Sequence, residues 1–167
     1  MAKKNPFSRY PSQVRASTER PDVRYVHLAG HFAIHGKVPP SLASSVVWLL
    51  NEENIAVCRG EAGDQPADSE SVTLSPVYAL GADGPAAVPT GLILVRFKES
   101  VRIEERHEAL ARAGYTVRQT LAYAPHAAWV QASSGGIAEA LTGIATLETL
   151  PDVVNVEPQM LTERVPR

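Results

Sequence analysis

The chain has 167 residues, enough for one medium domain or two small ones, with 44% hydrophobic and 20% charged residues and a formal net charge of -2. That balance argues against nucleic acid and acidic membrane surfaces as partners. The lone cysteine, Cys58, excludes an intramolecular disulfide framework and a multi-cysteine metal site.

No run approaches the ~18–20 apolar residues of a membrane span. The basic N-terminus has no apolar core after its lysines and so does not read as a secretory signal. The expectation is a soluble, cytoplasmic chain. The initial Met argues against a leader removed before it, and secretion after loss of a leader is the alternative.

Residues 1–21 carry Lys3, Lys4, Arg9, Arg15 and Arg20 with prolines at 6, 11 and 21. Few bulky apolar residues accompany them, which predicts a disordered basic arm. A small β-rich region of unknown role follows over residues 22–80. DVRYVHLAGHFAIHG alternates as a strand or bent hairpin arm. PPSLASSVVWLLNEENIAVCRG admits two readings. As a helix, Pro39, Pro40 and Ser41 mark its start and Ser44 to Glu53 its body. As a hairpin, VVWLL and IAVCR pair across NEEN, and the β-branched and aromatic content around Val46, Val47, Trp48, Ile55 and Val57 favours this form. EAGDQPADSE reads as an acidic loop. SVTLSPVYAL reads as an edge strand because of Pro76. The Gly/Pro/Ala content of residues 81–90 predicts a linker.

The last third is the clearest. In GLILVRFK, Ile93, Val95 and Phe97 share one strand face, and Leu92, Leu94, Arg96 and Lys98 share the other. Ile103, His107, Leu110 and Ala111 recur at helical spacing, with Gly114 as a C-cap. YTVRQTLAYA and AAWVQAS are strands separated by a turn at Pro125-His126. Gly135-Gly136 precedes a second helix striped by Ile137, Leu141, Ile144 and Leu147 or Glu148, which Pro151 and Asp152 end. VVNVEPQ closes the domain, with Val154 and Val156 inward. Two helices on one face of a four-stranded antiparallel sheet predict an α+β, ferredoxin-like (βαββαβ) domain over residues 91–159. A free tail follows at 160–167.

Three segments carry a resemblance: ILVRFK at the first strand, the helix end Ala113-Gly114-Tyr115, and PDVVNVEPQ at 151–159. On them, residues 91–167 resemble the propeptide domain of subtilisin-like serine proteases and its free-standing inhibitor relatives. Asn155 stands where that family often has an aromatic residue. The N-terminal half is outside the resemblance. The resemblance implies an inhibitor or intramolecular chaperone, not an enzyme, with a subtilisin-like serine protease as partner, in cis or in trans. Its sheet would pack on two protease helices, with Val156, Glu157 and Pro158 as the docking strand. Met160, Leu161, Thr162, Glu163, Arg164, Val165, Pro166 and Arg167 would enter the active-site cleft like a substrate. Such a segment is held by β-augmentation. Most bacterial subtilisins prefer apolar residues at the first and fourth sites. Arg167 and Arg164 therefore imply acidic pockets, or a native end elsewhere, for example after Leu161. The alternative is a non-enzymatic regulatory or oligomerisation module in which the tail is incidental.

Other constellations are weaker. His27, His31 and His35 are spaced four apart, but no nearby Asp, Glu or Cys completes a first shell. They read as structural or surface histidines, and neither metal nor cofactor is expected. Cys58 reads as buried and inert. No G-x-S-x-G elbow and no phosphate loop is present. Trp48 and Trp129 read as core or interface anchors, with the docking face as the sharper reading of Trp129.

Overall fold

The structure, a computed structural model, describes residues 6–50, 54–62, 72–81 and 83–162. Nine strands form one sheet: β1 (Gln13–Ser17), β2 (Arg20–Gly36), β3 (Val46–Leu50), β4 (Ile55–Arg59), β5 (Val72–Leu80), β6 (Ala86–Phe97), β7 (Tyr115–Leu121), β8 (Ala124–Ala132) and β9 (Val153–Thr162). The helical segments are short: 3₁₀ turns at Pro40–Ser45 and Ile103–Arg106, then α1 (His107–Arg112), α2 (Ile137–Thr142) and α3 (Ile144–Glu148). The strand order is β3-β4-β2-β5-β6-β8-β7, with β1 added to β2 and β9 added to β6, and every pairing is antiparallel.

This corrects the expected fold class. The described residues are 55% strand and 19% helix, and they form a curled, mostly antiparallel half-barrel instead of a ferredoxin-like α+β domain. The last third does run strand, helix, strand, strand, helix, strand. Its four strands, however, are part of a larger sheet, and its helices are only one or two turns long. The joint is β6. Ala86 and Ala87 pair with β5, residues 87–89 pair with the end of β9, and residues 93–96 continue between β9 and β8.

The expected linker at 81–90 is thus strand from residue 86 onward. Its small apolar residues suit a buried ladder as well as a loop, and Ala87 and Val88 are fully buried. Pro89 is accommodated where the β6–β9 register shifts between Pro89 and Ile93. Gly91 lies in that shift with φ 92°, and a Cβ there would meet Ile137 Cγ1 at 3.3 Å. A left-handed backbone and a tight neighbour both require glycine.

The expected disordered arm is ordered from residue 6 onward, and Lys3 and Lys4 lie outside the described residues. β1 forms within it, burying Val14, and the Tyr78 hydroxyl donates to Pro11 O at 2.7 Å. The turn joining β1 to β2 reaches β9: Thr18 N donates to Val156 O at 3.2 Å, and Val156 N donates to Thr18 Oγ1 at 2.9 Å. The sheet therefore curls back on itself and the outer edge of β9 is capped.

The hairpin reading of 46–59 holds, with β3 and β4 paired from Leu50–Ile55 outward; of NEEN, residues 51–53 lie outside the described residues, as does most of the acidic loop. β5 lies inside the sheet, between β2 and β6. Pro76 fits because β6 pairs only with Tyr78 and Ala79, so β5 is partnered on one side at Pro76. The β7–β8 turn is Ala122-Tyr123, since Leu121 pairs with Ala124; Pro125 and His126 belong to β8.

Three apolar clusters hold the fold. The largest joins Ile93, Val95, Phe97, Leu110, Val130, Leu141, Leu147 and Val156 beneath the helical segments. Two thinner ones lie on β2, β4 and β5: Phe32, Ile34, Cys58 and Leu74 in one, Ala33, Ile55, Val57 and Val77 in the other. Successive residues alternate faces, so these strands are dry on both sides. The helical stripes are met in part. Ile103 and Leu110 are buried, but His107 and Ala111 are exposed because the helix is too short to cover the sheet. Ile137, Leu141, Ile144 and Leu147 are all buried. Gly114, at φ 93°, ends α1 as expected.

Candidate functional site

β9, β6, β8 and β7 carry the helical segments on one face. On the other face a row crosses all four strands. Glu157 pairs with Leu94, Leu94 with Trp129, and Trp129 with Gln119. Paired residues project to the same side. Glu157, Leu94 and Trp129 are half-buried and Gln119 is exposed. The apolar pair in the middle thus lies open between polar ends. One step along, Arg96 pairs with Asn155 and with Ala127.

The β1–β2 turn runs along the outer edge of β9 and reaches both faces of the sheet. Arg15 Nη2 and Thr18 Oγ1 both donate to the Glu148 carboxylate at the end of α3, the latter at 2.7 Å. Arg96 pairs with Glu19. Glu19 N donates to Asn155 Oδ1 at 3.3 Å, and Asn155 Nδ2 donates to Glu157 Oε1 at 2.9 Å. Asn155 is 4% exposed, so its two bonds satisfy a buried amide that would otherwise be costly. The Asn155 side chain therefore ties the β1–β2 turn to β9. Tyr25 is also near. Burial, and then the Glu157 carboxylate, raise its hydroxyl pKa.

The predicted docking strand divides by face. Val156 and Pro158 are buried, and Val156 joins the core beneath the helical segments; Glu157 alone belongs to the open row. Val154 turns outward, not inward, because two β9 residues, Val153 and Val154, follow the Asn155–Arg96 pair where β6 offers only Phe97. The predicted tail begins as strand: Met160 pairs with Pro89, Leu161 with Val88 and Thr162 with Ala87. Leu161 packs against the cluster of Ala33, Val57 and Val88. Glu163, Arg164, Val165, Pro166 and Arg167 lie outside the described residues.

The histidines occupy unlike settings. His27 is exposed, with its ring 6.2 Å from that of Tyr78. His31 has a buried Nδ1 without a partner, as has Trp48 Nε1. His35 meets Ser75 Oγ at 2.8 Å, and burial lowers its pKa to about 4. Among the described residues no group of three or more His, Cys, Asp or Glu is placed to hold a metal ion. Cys58 is buried, which raises its thiol pKa. No helix among the described residues is long and apolar enough to cross a membrane.

Sequence reasoning missed Arg15, Thr18 and Glu19. The run Ser17-Thr18-Glu19-Arg20 between two alternating stretches is a turn signal, but its partners lie between 77 and 138 residues away. No protein-family model, curated protein or solved structure matches this chain.

Proposed function

We propose that this chain acts by binding, as an inhibitor and folding partner of a subtilisin-like serine protease. The observation that carries the reading is the open row Glu157–Leu94–Trp129–Gln119 on the face away from the helical segments. A half-exposed Trp beside a Leu, rimmed by carboxylate, amide and guanidinium groups, has the make-up of a docking centre. The resemblance of PDVVNVEPQ to the end of subtilisin propeptides names the partner class. What is required is an open sheet face with a strand leading out of it, and β9 provides that strand. Because Met160, Leu161 and Thr162 are committed to pairing with β6, the cleft-binding part falls to the residues after Thr162.

The test is inhibition of peptide hydrolysis by a subtilisin-like protease, with the whole chain as titrant. The expected result is near-stoichiometric inhibition. Trp129→Glu weakens it at least ~30-fold, the scale of an interface hot spot, and ending the chain at Thr162 abolishes it. No inhibition at micromolar excess would end this reading. Full inhibition by the Trp129→Glu chain would remove the docking face from it.

A further inference from the structure

β9 runs through both halves of the molecule. Val156 lies in the large core beneath the helical segments. Leu161, half-buried, packs instead on the cluster of Ala33, Ile55, Val57, Val77 and Val88, most of which belongs to the N-terminal strands. Side chains alternate along a strand, so Glu157, Gln159 and Leu161 share one side of β9. Glu157 stands in the open row at one end of that side, and Leu161 is held by the N-terminal cluster at the other. Between them Thr90 Oγ1 donates to Gln159 Oε1 at 2.7 Å. Past the register shift a second ladder pairs Met160, Leu161 and Thr162 with Pro89, Val88 and Ala87, and Ala87 pairs in turn with Tyr78 of β5. β8 pairs with β6 only at residues 93–96, so without the N-terminal strands the end of β9 would overhang the C-terminal ones.

We propose that the N-terminal strands position the segment that follows Thr162, with Leu161 as the positioning residue. This rests on the protease-binding reading above and gives the N-terminal half a role in it. A chain end that enters a cleft loses backbone freedom, and every residue already held in extended form spares part of that loss. Met160, Leu161 and Thr162 are extended and paired before any partner arrives. The chain therefore leaves the sheet at a fixed point, ~17 Å along β9 from Glu157. Docking at the open row then delivers the following residues from one place and in one direction. Leu161 has no contact with the protease in this arrangement and acts through β9.

The test is inhibition of a subtilisin-like protease by full-length variants, each checked for native far-UV circular dichroism. Leu161→Ala, and Val88→Ala on the β6 side of the same contact, are expected to weaken inhibition at least ~10-fold, about the cost of fixing one more backbone residue. Leu161→Met conserves volume and is expected to match the wild type. Ile34→Val opens a cavity in the cluster on the opposite face and is expected to leave inhibition unchanged. Amide exchange over residues 160–162 should quicken in Leu161→Ala and not in Ile34→Val. If the wild type inhibits and whichever of Leu161→Ala and Val88→Ala folds inhibits equally well, this inference falls and the protease reading stands. Equal weakening by Ile34→Val has the same consequence, since it reduces the effect to general stability. No inhibition by the wild-type chain ends both.

Discussion

The two ends of the sheet bury their side chains differently. In the C-terminal strands Ile93, Val95, Phe97 and Val130 face a single core under short helical segments, while Leu94 and Trp129 stay half-open on the reverse. In the N-terminal strands there is no such division. Phe32, Ala33 and Ile34 are buried in succession, as are Ile55, Ala56, Val57 and Cys58, and thin clusters lie on both faces. One end leaves a face half-open. The other buries both faces, and among the described residues no strand pairs with the outer side of β3. A continuous apolar run such as IAVC is what a doubly buried strand needs, and strict alternation is what a one-sided strand needs.

The sharpest way to break this comparison is to ask whether the ends unfold together. Phe97→Ala in the large core and Phe32→Ala in a thin one are each expected to cost about 3–5 kcal/mol. Both should move a single transition, because β5, β6 and the β1–β2 turn join the ends. Trp48 and Trp129 provide one fluorescent reporter in each region. Coincident denaturant transitions in the Trp48→Phe and Trp129→Phe chains are expected, and two separated midpoints would mean two independent units.

Acid should act on the N-terminal end. His35 has a folded pKa of about 4 against 6.5 for the free group. Above pH 6.5 both states are neutral and its effect on stability is constant. As pH falls from 6.5 toward 4, the unfolded chain takes up the proton and the folded one does not, so stability is lost, by about 3 kcal/mol in all. Urea midpoints across that window measure the slope. His35→Gln should flatten it, and an unchanged slope would assign the acid sensitivity elsewhere.

The β1–β2 turn sharpens the comparison further, since it fastens one end to the other. Asn155→Ala removes the acceptor for Glu19 N and is expected to cost about 1–2 kcal/mol. It should also loosen the turn, seen as faster exchange of the Thr18 and Val156 amides. Equal exchange rates in the two chains would show that the backbone contacts suffice. The smallest effect is on the surface. Glu108 and Arg112 pair at 2.6 Å on exposed α1, and Glu108→Gln should change stability by less than about 0.5 kcal/mol.

Much of the local structure was legible. The alternation of GLILVRFK, the apolar stripe ending at Leu147, Gly114 as a helix stop and the VVWLL–IAVCR hairpin follow from side-chain period, backbone freedom and β-propensity, which act over a few residues. The open row was half legible: alternation places Leu94 and Arg96 together, but not their registration with Trp129 and Glu157. What lay beyond reach shares one cause. Residues 86–90 look like a linker because small residues and proline serve loops and buried ladders alike, and only pairing with β5 and β9 distinguishes them. The basic N-terminal segment looks unstructured because its partners, Val156, Glu148 and Asn155, are more than a hundred residues away. Domain class fails for the same reason. Sequence alone determined the dry face of GLILVRFK, the VVWLL–IAVCR hairpin, the stripe from Ile137 to Leu147 and the helix stop at Gly114. Only the tertiary structure decided that they join one curled sheet, because registry between distant strands is set by packing and closure and not by any local preference of the chain.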